Sequence, residues 1–297
     1  MNVHKITVSI VKLLLFGVAC EILGQDQYED EDLTIKEAPY TVIITPIGCT
    51  GALIHPLWVL TAAHCIQGGT STVYAGFGSS DKRNCSYYIK SVRVYIYPNF
   101  YHDMDNLKSI SRSLPSDIAL IELATPVILS DTVNLLQLDV TEWPDKASIQ
   151  CTMTGYGNHK KRNTKLHLAK LSVRKTCECL TITGVLCGHW IGGHKPCYGD
   201  AGGILVCNNK GVGIASHDVP AAYCKDQQKA LTQLVDRDCQ MANLTYLFTH
   251  LQRNMFWIQK ISHFSKAGKL VHKINHWCDK LTSLQLTFSL IIALYFY

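Results

Sequence analysis

The sequence predicts an all-β fold of antiparallel sandwich or barrel type, on three observations. Short apolar, β-branched runs recur at Tyr40 to Thr45, Gly51 to Leu60, Ser91 to Tyr97 and Ile118 to Leu123, with Gly, Pro, Asn and Ser between them. No amphipathic helical pattern separates those runs, which is the mark of antiparallel strand pairing. The chain is 47% hydrophobic and 17% charged, enough apolar side chains for a large core and too few charges for disorder. One helical pattern comes late: Leu247, Leu251, Met255 and Ile258 fall at helical spacing, with Trp257 and Ile261 beside them. That stripe reads as core packing, not as a ligand box.

Taken in order, the chain opens with Lys5 and Lys12, then the apolar run Leu13 to Ala19, with small or tolerated residues at Val18/Cys20 and Ile22/Gly24. This is signal-peptide architecture, assigned to residues 1–24, and it predicts an extracellular, secreted protein. A membrane anchor fits less well, because the run is short and interrupted by lysine. Cleavage after Cys20 or Gly24 removes one of the thirteen cysteines and leaves twelve. An even number in an oxidising compartment implies disulfides. Residues 25–37 form an acidic arm, with Asp26, Glu29, Asp30, Glu31 and Asp32 in one short run, expected to be solvated and mobile.

Three segments carry chemistry. Leu60-Thr61-Ala62-Ala63-His64-Cys65 supplies a histidine, Ser116-Asp117-Ile118-Ala119-Leu120 an aspartate, and Cys197-Tyr198-Gly199-Asp200-Ala201-Gly202-Gly203 a glycine-rich turn. In this order they resemble the histidine, aspartate and nucleophile motifs of the trypsin/chymotrypsin-like (S1) serine proteases, over about residues 38 to 262. The resemblance implies two antiparallel β-barrels of the chymotrypsin type with a C-terminal helix: an N-terminal barrel at 38–145, a boundary at Trp143-Pro144, and a second barrel with the closing helix at 146–262. The triad positions are then His64, Asp117 and Ala201. In an intact site the histidine takes the hydroxyl proton, the aspartate fixes the imidazole tautomer, and backbone N–H groups hold the oxyanion. The methyl group of Ala201 can neither attack nor form an acyl-enzyme. Loss of such a nucleophile removes on the order of a millionfold in turnover and leaves roughly a thousandfold over water.

The resemblance also implies disulfides: Cys49 with Cys65, Cys151 with Cys207, Cys187 with Cys177 or Cys179, and Cys197 with Cys224. It leaves Cys85, Cys239, Cys278 and the remaining member of Cys177/Cys179 without assigned partners. A zinc site of Cys177, Cys179, His189 and His194 is the alternative, but secretion and the family pairing both favour disulfides, so no metal or cofactor is expected.

Three further departures from the family accompany Ala201. Its basic activation site followed by Ile-Val-Gly-Gly is replaced by Leu33-Thr34-Ile35-Lys36-Glu37-Ala38-Pro39-Tyr40. In the family, the freed N-terminal ammonium pairs with the aspartate before the nucleophile. Asp200 keeps that aspartate, and an unpaired buried carboxylate is costly, so Asp200 is expected to be solvated, protonated or paired with a different cation. Lys195 falls at the base of the specificity pocket, and Ser216-His217-Asp218 replaces the Ser-Trp-Gly wall. Either Lys195 selects an acidic side chain or, the favoured reading, Lys195 and Asp218 satisfy each other in a filled pocket.

The formal charge of +5 is uneven, with His159, Lys160, Lys161, Arg162, Lys165, Lys170, Arg174 and Lys175 crowding one stretch. It suits a sulfated glycan or an acidic protein face, or else is a solvated loop. Nucleic acid is excluded by secretion and the lack of a recognition motif. Asn84-Cys85-Ser86 and Asn243-Leu244-Thr245 are glycosylation sequons, the first weakened if Cys85 is bridged. Residues 263–297 form a basic, then hydrophobic tail whose apolar end, Leu284 to Tyr297, reaches only about 21 Å as a helix against a hydrocarbon core of roughly 30 Å. A GPI-attachment signal with small residues at Ser265 to Gly268 is one reading, and an amphipathic tail touching the protein or a membrane surface is the other.

These features together predict a secreted, disulfide-bonded glycoprotein and serine protease homologue that does not catalyse. It would bind an extracellular protein, such as an active protease or its substrate, as cofactor, decoy or regulator. A hydrolase of weak or altered activity is the alternative.

Overall fold

The computed structural model describes residues 33–66, 72–100, 114–139, 141–144, 147–157, 164–177, 183–220 and 243–264. The leader, most of the acidic arm, the tail from residue 265 on, and the basic residues His159 to Arg162 lie outside these.

Alternating burial makes the strands. In His167–Arg174, every second residue from His167 to Val173 turns to the core and the residues between face outward, the period of two that a pleated strand imposes. Twelve strands follow one another: β1 (Thr41–Thr45), β2 (Cys49–His55), β3 (Trp58–Thr61), β4 (Tyr74–Phe77), β5 (Tyr87–Ile96), β6 (Ala119–Leu123), β7 (Ile149–Gly155), β8 (His167–Arg174), β9 (Val185–Gly193), β10 (Ile204–Cys207), β11 (Lys210–Pro220) and β12 (Leu244–His250). They close into two antiparallel barrels, one ordered β1-β2-β3-β6-β5-β4 and the other β10-β11-β12-β9-β8-β7. Closure leaves no open sheet edge to pair with a neighbour. Read from β7, the second barrel repeats the strand order of the first.

Two details differ from the strand pattern of the sequence. The run Gly51 to Leu60 is two strands, because Pro56 and Leu57 turn the chain back so that His55 opposes Trp58. Proline has no N–H to give a ladder and is favoured in such a turn. Leu247 belongs to β12, paired with Cys187, and the helix α1 starts only at Leu251–Phe264. Helical spacing at one position was outweighed by sheet pairing on both sides.

The first barrel is filled by Val42, Ile44, Leu53, Trp58, Leu60 and Phe77, and its apolar core runs on through Ile204 and Ile214 to Leu251 and Ile258 of α1. The second holds Met153, Leu171, Val173, Leu186, Leu205 and Phe248. Polar ties join the barrels. Thr50 on β2 donates its hydroxyl to the Gly199 carbonyl at 2.6 Å and accepts the Tyr156 N–H at 3.2 Å. Thr249 on β12 donates to the carbonyl of Leu114 at 2.6 Å. Asn254 of α1 donates to the Pro115 carbonyl at 3.2 Å. The first of these bonds ties β2 to the turn that carries Ala201, and the last two tie the segment before Asp117 to β12 and α1.

Candidate functional site

His64 sits on a 3-10 turn, Ala63–Ile66, directly after β3, and Asp117 follows a second one, Leu114–Ser116, directly before β6. Because β3 and β6 are neighbours, with Thr61 opposite Ala119, the two side chains meet at one end of the first barrel. His64 Nδ1 lies 2.7 Å from Asp117 Oδ2, and the His64 backbone N–H donates to Asp117 Oδ1 at 2.8 Å. Asp117 is fully buried. Burial would raise its carboxyl, but the charge and hydrogen bond of His64, the charge of His217 and the hydroxyl of Ser216 outweigh it and hold the group down at about 2. Burial likewise pulls the His64 imidazole down, and the charge and hydrogen bond of Asp117 more than reverse this, leaving it above its ordinary value.

The second barrel supplies the opposite wall. Between β9 and β10, residues 197–203 form a turn held by the bonds Asp200 N–H to the Cys197 carbonyl and Gly203 N–H to the Asp200 carbonyl. Gly202 has φ of +81° and its N–H donates to the Ala215 carbonyl at 2.8 Å. A Cβ there would lie 3.1 Å from the Ala62 nitrogen and would press on Thr50 and Thr61, so only glycine fits. Ala201, half-buried, then faces the same cavity as His64.

That cavity has a volume of about 460 Å³ and is lined by His64, Ala201, Ser216, His217 and Asp218 together with Met153, Tyr246 and Phe248. It is open, so the expected filled pocket is corrected. The Lys195 ammonium lies 5.1 Å from the centre of the Trp190 ring and not in the cavity, and among the described residues it makes no ion pair with Asp218. A cation held over an aromatic face is partly satisfied there. The same placement removes Lys195 as a selector of acidic side chains.

Asp200 is buried, which corrects the solvated alternative. Its Oδ1 accepts the Gly157 N–H and its Oδ2 the Cys197 N–H, each at 2.8 Å. Burial raises the carboxyl, those two donors and the charge of Lys82 pull it back, and it settles at about 6. Lys82, on the β4–β5 connection, donates to the Tyr156 carbonyl at 2.8 Å, one residue before Gly157. Sequence reading missed Lys82. Its sole signal was a lysine in the turn Asp81-Lys82-Arg83, common on any surface.

Also missed was the wiring of His217. Its Nδ1 lies 2.9 Å from Ser216 Oγ, and the Ser216 hydroxyl donates to Asp117 Oδ2 by a very short bond. The rings of His64 and His217 are 5.2 Å apart, edge to face. One carboxylate therefore anchors two imidazoles at the cavity wall.

The structure pairs Cys49 with Cys65, Cys151 with Cys207, and Cys177, not Cys179, with Cys187. Cys197 is disulfide-bonded; Cys224, its expected partner, and Cys179 lie outside the described residues, as do Cys239 and Cys278. With Cys177 bridged and the His194 ring packed 4.1 Å from that of His167, the zinc set of Cys177, Cys179, His189 and His194 loses its first ligand. Cys85 is a free, half-buried thiol, and burial pushes it up. Asn84 and Asn243 are exposed. Of the basic stretch, Lys165 lies 3.9 Å from Asp81 and Lys175 3.6 Å from Glu142, so part of that charge is met within the molecule. Among the described residues no helix is long and apolar enough to cross a membrane.

Comparison with known proteins adds the family. The family model described as Trypsin matches residues 29–235. The chain is 31% identical over 209 residues to a trypsin of Squalus acanthias, covering 63% of this chain and 86% of that protein. It is 28% identical over 194 residues to trypsin-2 of Salmo salar, covering 60% and 79%. An ovochymase of Halocynthia roretzi is 25% identical over 240 residues, 76% of this chain but only 14% of that much longer protein.

Proposed function

Because this chain belongs to the trypsin family, we propose that it keeps the family's cleft without its cleavage chemistry and acts by binding an extracellular protein. The carrying observation is Ala201, a methyl group that lines the cavity beside His64 where the motif Gly199-Asp200-Ala201-Gly202-Gly203 calls for a nucleophile. His64 and Asp117 then serve as packing and hydrogen-bonding groups. The open cavity lined by Asp218, Tyr246 and Phe248 is where a partner's side chain enters. The partner is a protease, or a substrate of one, shielded or presented by a protein that cannot cut it. The disulfides Cys49–Cys65, Cys151–Cys207 and Cys177–Cys187 support secretion, and exposed Asn84 and Asn243 carry the sugars. Sulfated glycan at the basic stretch and membrane attachment through the tail are further parts of this proposal.

The second reading is a weak hydrolase in which His64 activates water. What favours it is the His64 Nδ1–Asp117 Oδ2 contact of 2.7 Å, the pairing that a histidine acting as a base requires.

Peptide-library turnover in the presence of chelator separates the two. The purified chain and His64→Ala are expected to give indistinguishable background. Ala201→Ser, restoring the hydroxyl beside His64, is expected to gain at least ~10²-fold of the roughly millionfold span open to it. Turnover by the parent chain that vanishes in His64→Ala overturns the binding proposal.

A further inference from the structure

We propose that Lys82 is a built-in cation that orders the turn 197–203, acting on Asp200 through the Tyr156–Gly157 peptide group, so that this wall of the cleft is assembled in the uncut chain. Lys82 Nζ donates to the Tyr156 carbonyl at 2.8 Å, and the Gly157 N–H donates to Asp200 Oδ1 at 2.8 Å. That carbonyl and that N–H are the two ends of one planar amide. A cation on the oxygen draws electron density from the nitrogen end and makes the N–H a stronger donor, so the two bonds reinforce each other. The lysine charge thus reaches the buried carboxyl across a single peptide unit.

The fold fixes both ends of this relay. The Lys82 N–H donates to the Thr164 carbonyl at 3.0 Å, and the Lys82 carbonyl accepts the Tyr88 hydroxyl at 3.2 Å, which holds the lysine backbone in place. The Tyr156 hydroxyl donates to the Ser79 carbonyl at 2.7 Å, so residue 156 is tied to the β4–β5 connection through its side chain as well as its backbone. Ile35, Tyr156 and Leu166 pack in one apolar cluster, and the Ile35 N–H donates to Ser80 Oγ at 2.8 Å. The segment just before β1 therefore braces the connection that carries Lys82. At the far end, a Cβ on residue 157 would press into the Asp200 carboxylate, so glycine is what lets this N–H reach it. Asp200 in turn accepts the Cys197 N–H at 2.8 Å, and its backbone carbonyl accepts the Gly203 N–H at 2.9 Å. Gly199 and Ala201, between these bonds, line the cavity. A turn held by Lys82 keeps both residues at the cavity wall with no prior cut in the chain.

The inference holds whether or not the cleft cleaves, so its test reads backbone protection and not turnover. Hydrogen exchange of the full chain is followed by mass spectrometry at pH 7.5, in peptides spanning Thr152 to Gly157 and Lys195 to Gly203. Lys82→Met is expected to speed exchange in both at least ~10-fold, while Lys82→Arg, which keeps a cation within reach of the carbonyl, retains most of the protection. Lys90→Met, on an exposed residue of β5, changes neither. In an Asp200→Asn background the further effect of Lys82→Met on Lys195 to Gly203 falls below ~3-fold, because the group on which the cation acts is gone. A short extension joined to the N-terminus, which keeps a terminal ammonium out of the interior, leaves exchange as in the parent. Unchanged exchange in Lys82→Met overturns the proposal, as does equal speeding with and without the Asp200 carboxylate, or protection lost in the extended chain. Should Asp200→Asn fail to fold, a loss in Lys82→Met that Lys82→Arg does not restore overturns it equally.

Discussion

Gly157→Ala tests whether Asp200 is the clamp that holds the wall of the cleft. The φ of Gly157 lies outside the left-handed region, so alanine suits the backbone there, and by limiting the unfolded chain it would stabilise by about 0.4–1 kcal/mol. A clash opposes this, since a Cβ at 157 would sit 2.5 Å from the Asp200 carboxyl carbon and 2.8 Å from Oδ1. The carboxyl group is pinned by the Gly157 and Cys197 N–H groups at 2.8 Å each, so making room breaks both bonds. At about 1.5–3 kcal/mol for each bond to a charged group, the loss is roughly 3–6 kcal/mol, which outweighs the entropic gain. At about 2–4 °C per kcal/mol for a domain of this size, the net loss of roughly 2–5.6 kcal/mol lowers Tm by roughly 4–22 °C at pH 7.5. Gly211→Ala is the comparison, because its Cβ would meet only the side-chain ends of Ile204, Leu136 and Leu138, at 3.0 Å, and these can shift. Differential scanning calorimetry of both variants decides the matter. A Tm for Gly157→Ala equal to or above the parent's would refute the clamp and every step resting on it.

Lys82→Met removes the bond to the Tyr156 carbonyl and a cation that favours ionised Asp200. Urea denaturation is expected to show about 1–2 kcal/mol lost at pH 7.5 and clearly less at pH 5, where Asp200, poised at about 6, is already protonated. Equal losses at both pH values would leave Lys82 only its hydrogen bond. His250 is buried at the end of β12 and held down at about 4 by burial and by the charges of Arg253 and Lys175. Between about pH 4 and 6.5 the unfolded chain binds more protons at this residue, so its contribution to stability rises with pH. Asp200 acts oppositely from about 3.8 to 6, because there the folded chain binds more protons. The two offset each other, and the parent is expected to show a nearly flat stability between pH 4 and 6. In His250→Gln the Asp200 slope stands alone, so stability falls with rising pH across that window, diverging from the parent by about 1–3 kcal/mol. Parallel pH profiles for parent and variant would rule out His250 as the opposing group.

Much of the fold was legible in the chain because its signals are local. The runs at Tyr40 to Thr45 and Ile118 to Leu123 show β-branched composition, and the Leu251, Met255 and Ile258 stripe shows helical period. The split of Gly51 to Leu60 into β2 and β3, and the assignment of Leu247 to β12, depended on which strand lay alongside. The candidate site divides in the same way. His64, Asp117 and Ala201 could be found because each is embedded in its own contiguous motif. The partners of Asp200, the placement of Lys195 over Trp190 and the attachment of His217 through Ser216 to Asp117 include contacts between residues as much as 99 and 118 positions apart. The sequence by itself determined which groups are available, His64, Asp117 and Ala201 among them. Only the tertiary structure decided which of those groups face each other, because closing two barrels brings β2, β4–β5, β7 and β11 to one cleft, and no local pattern encodes a distance between segments that the fold alone brings together.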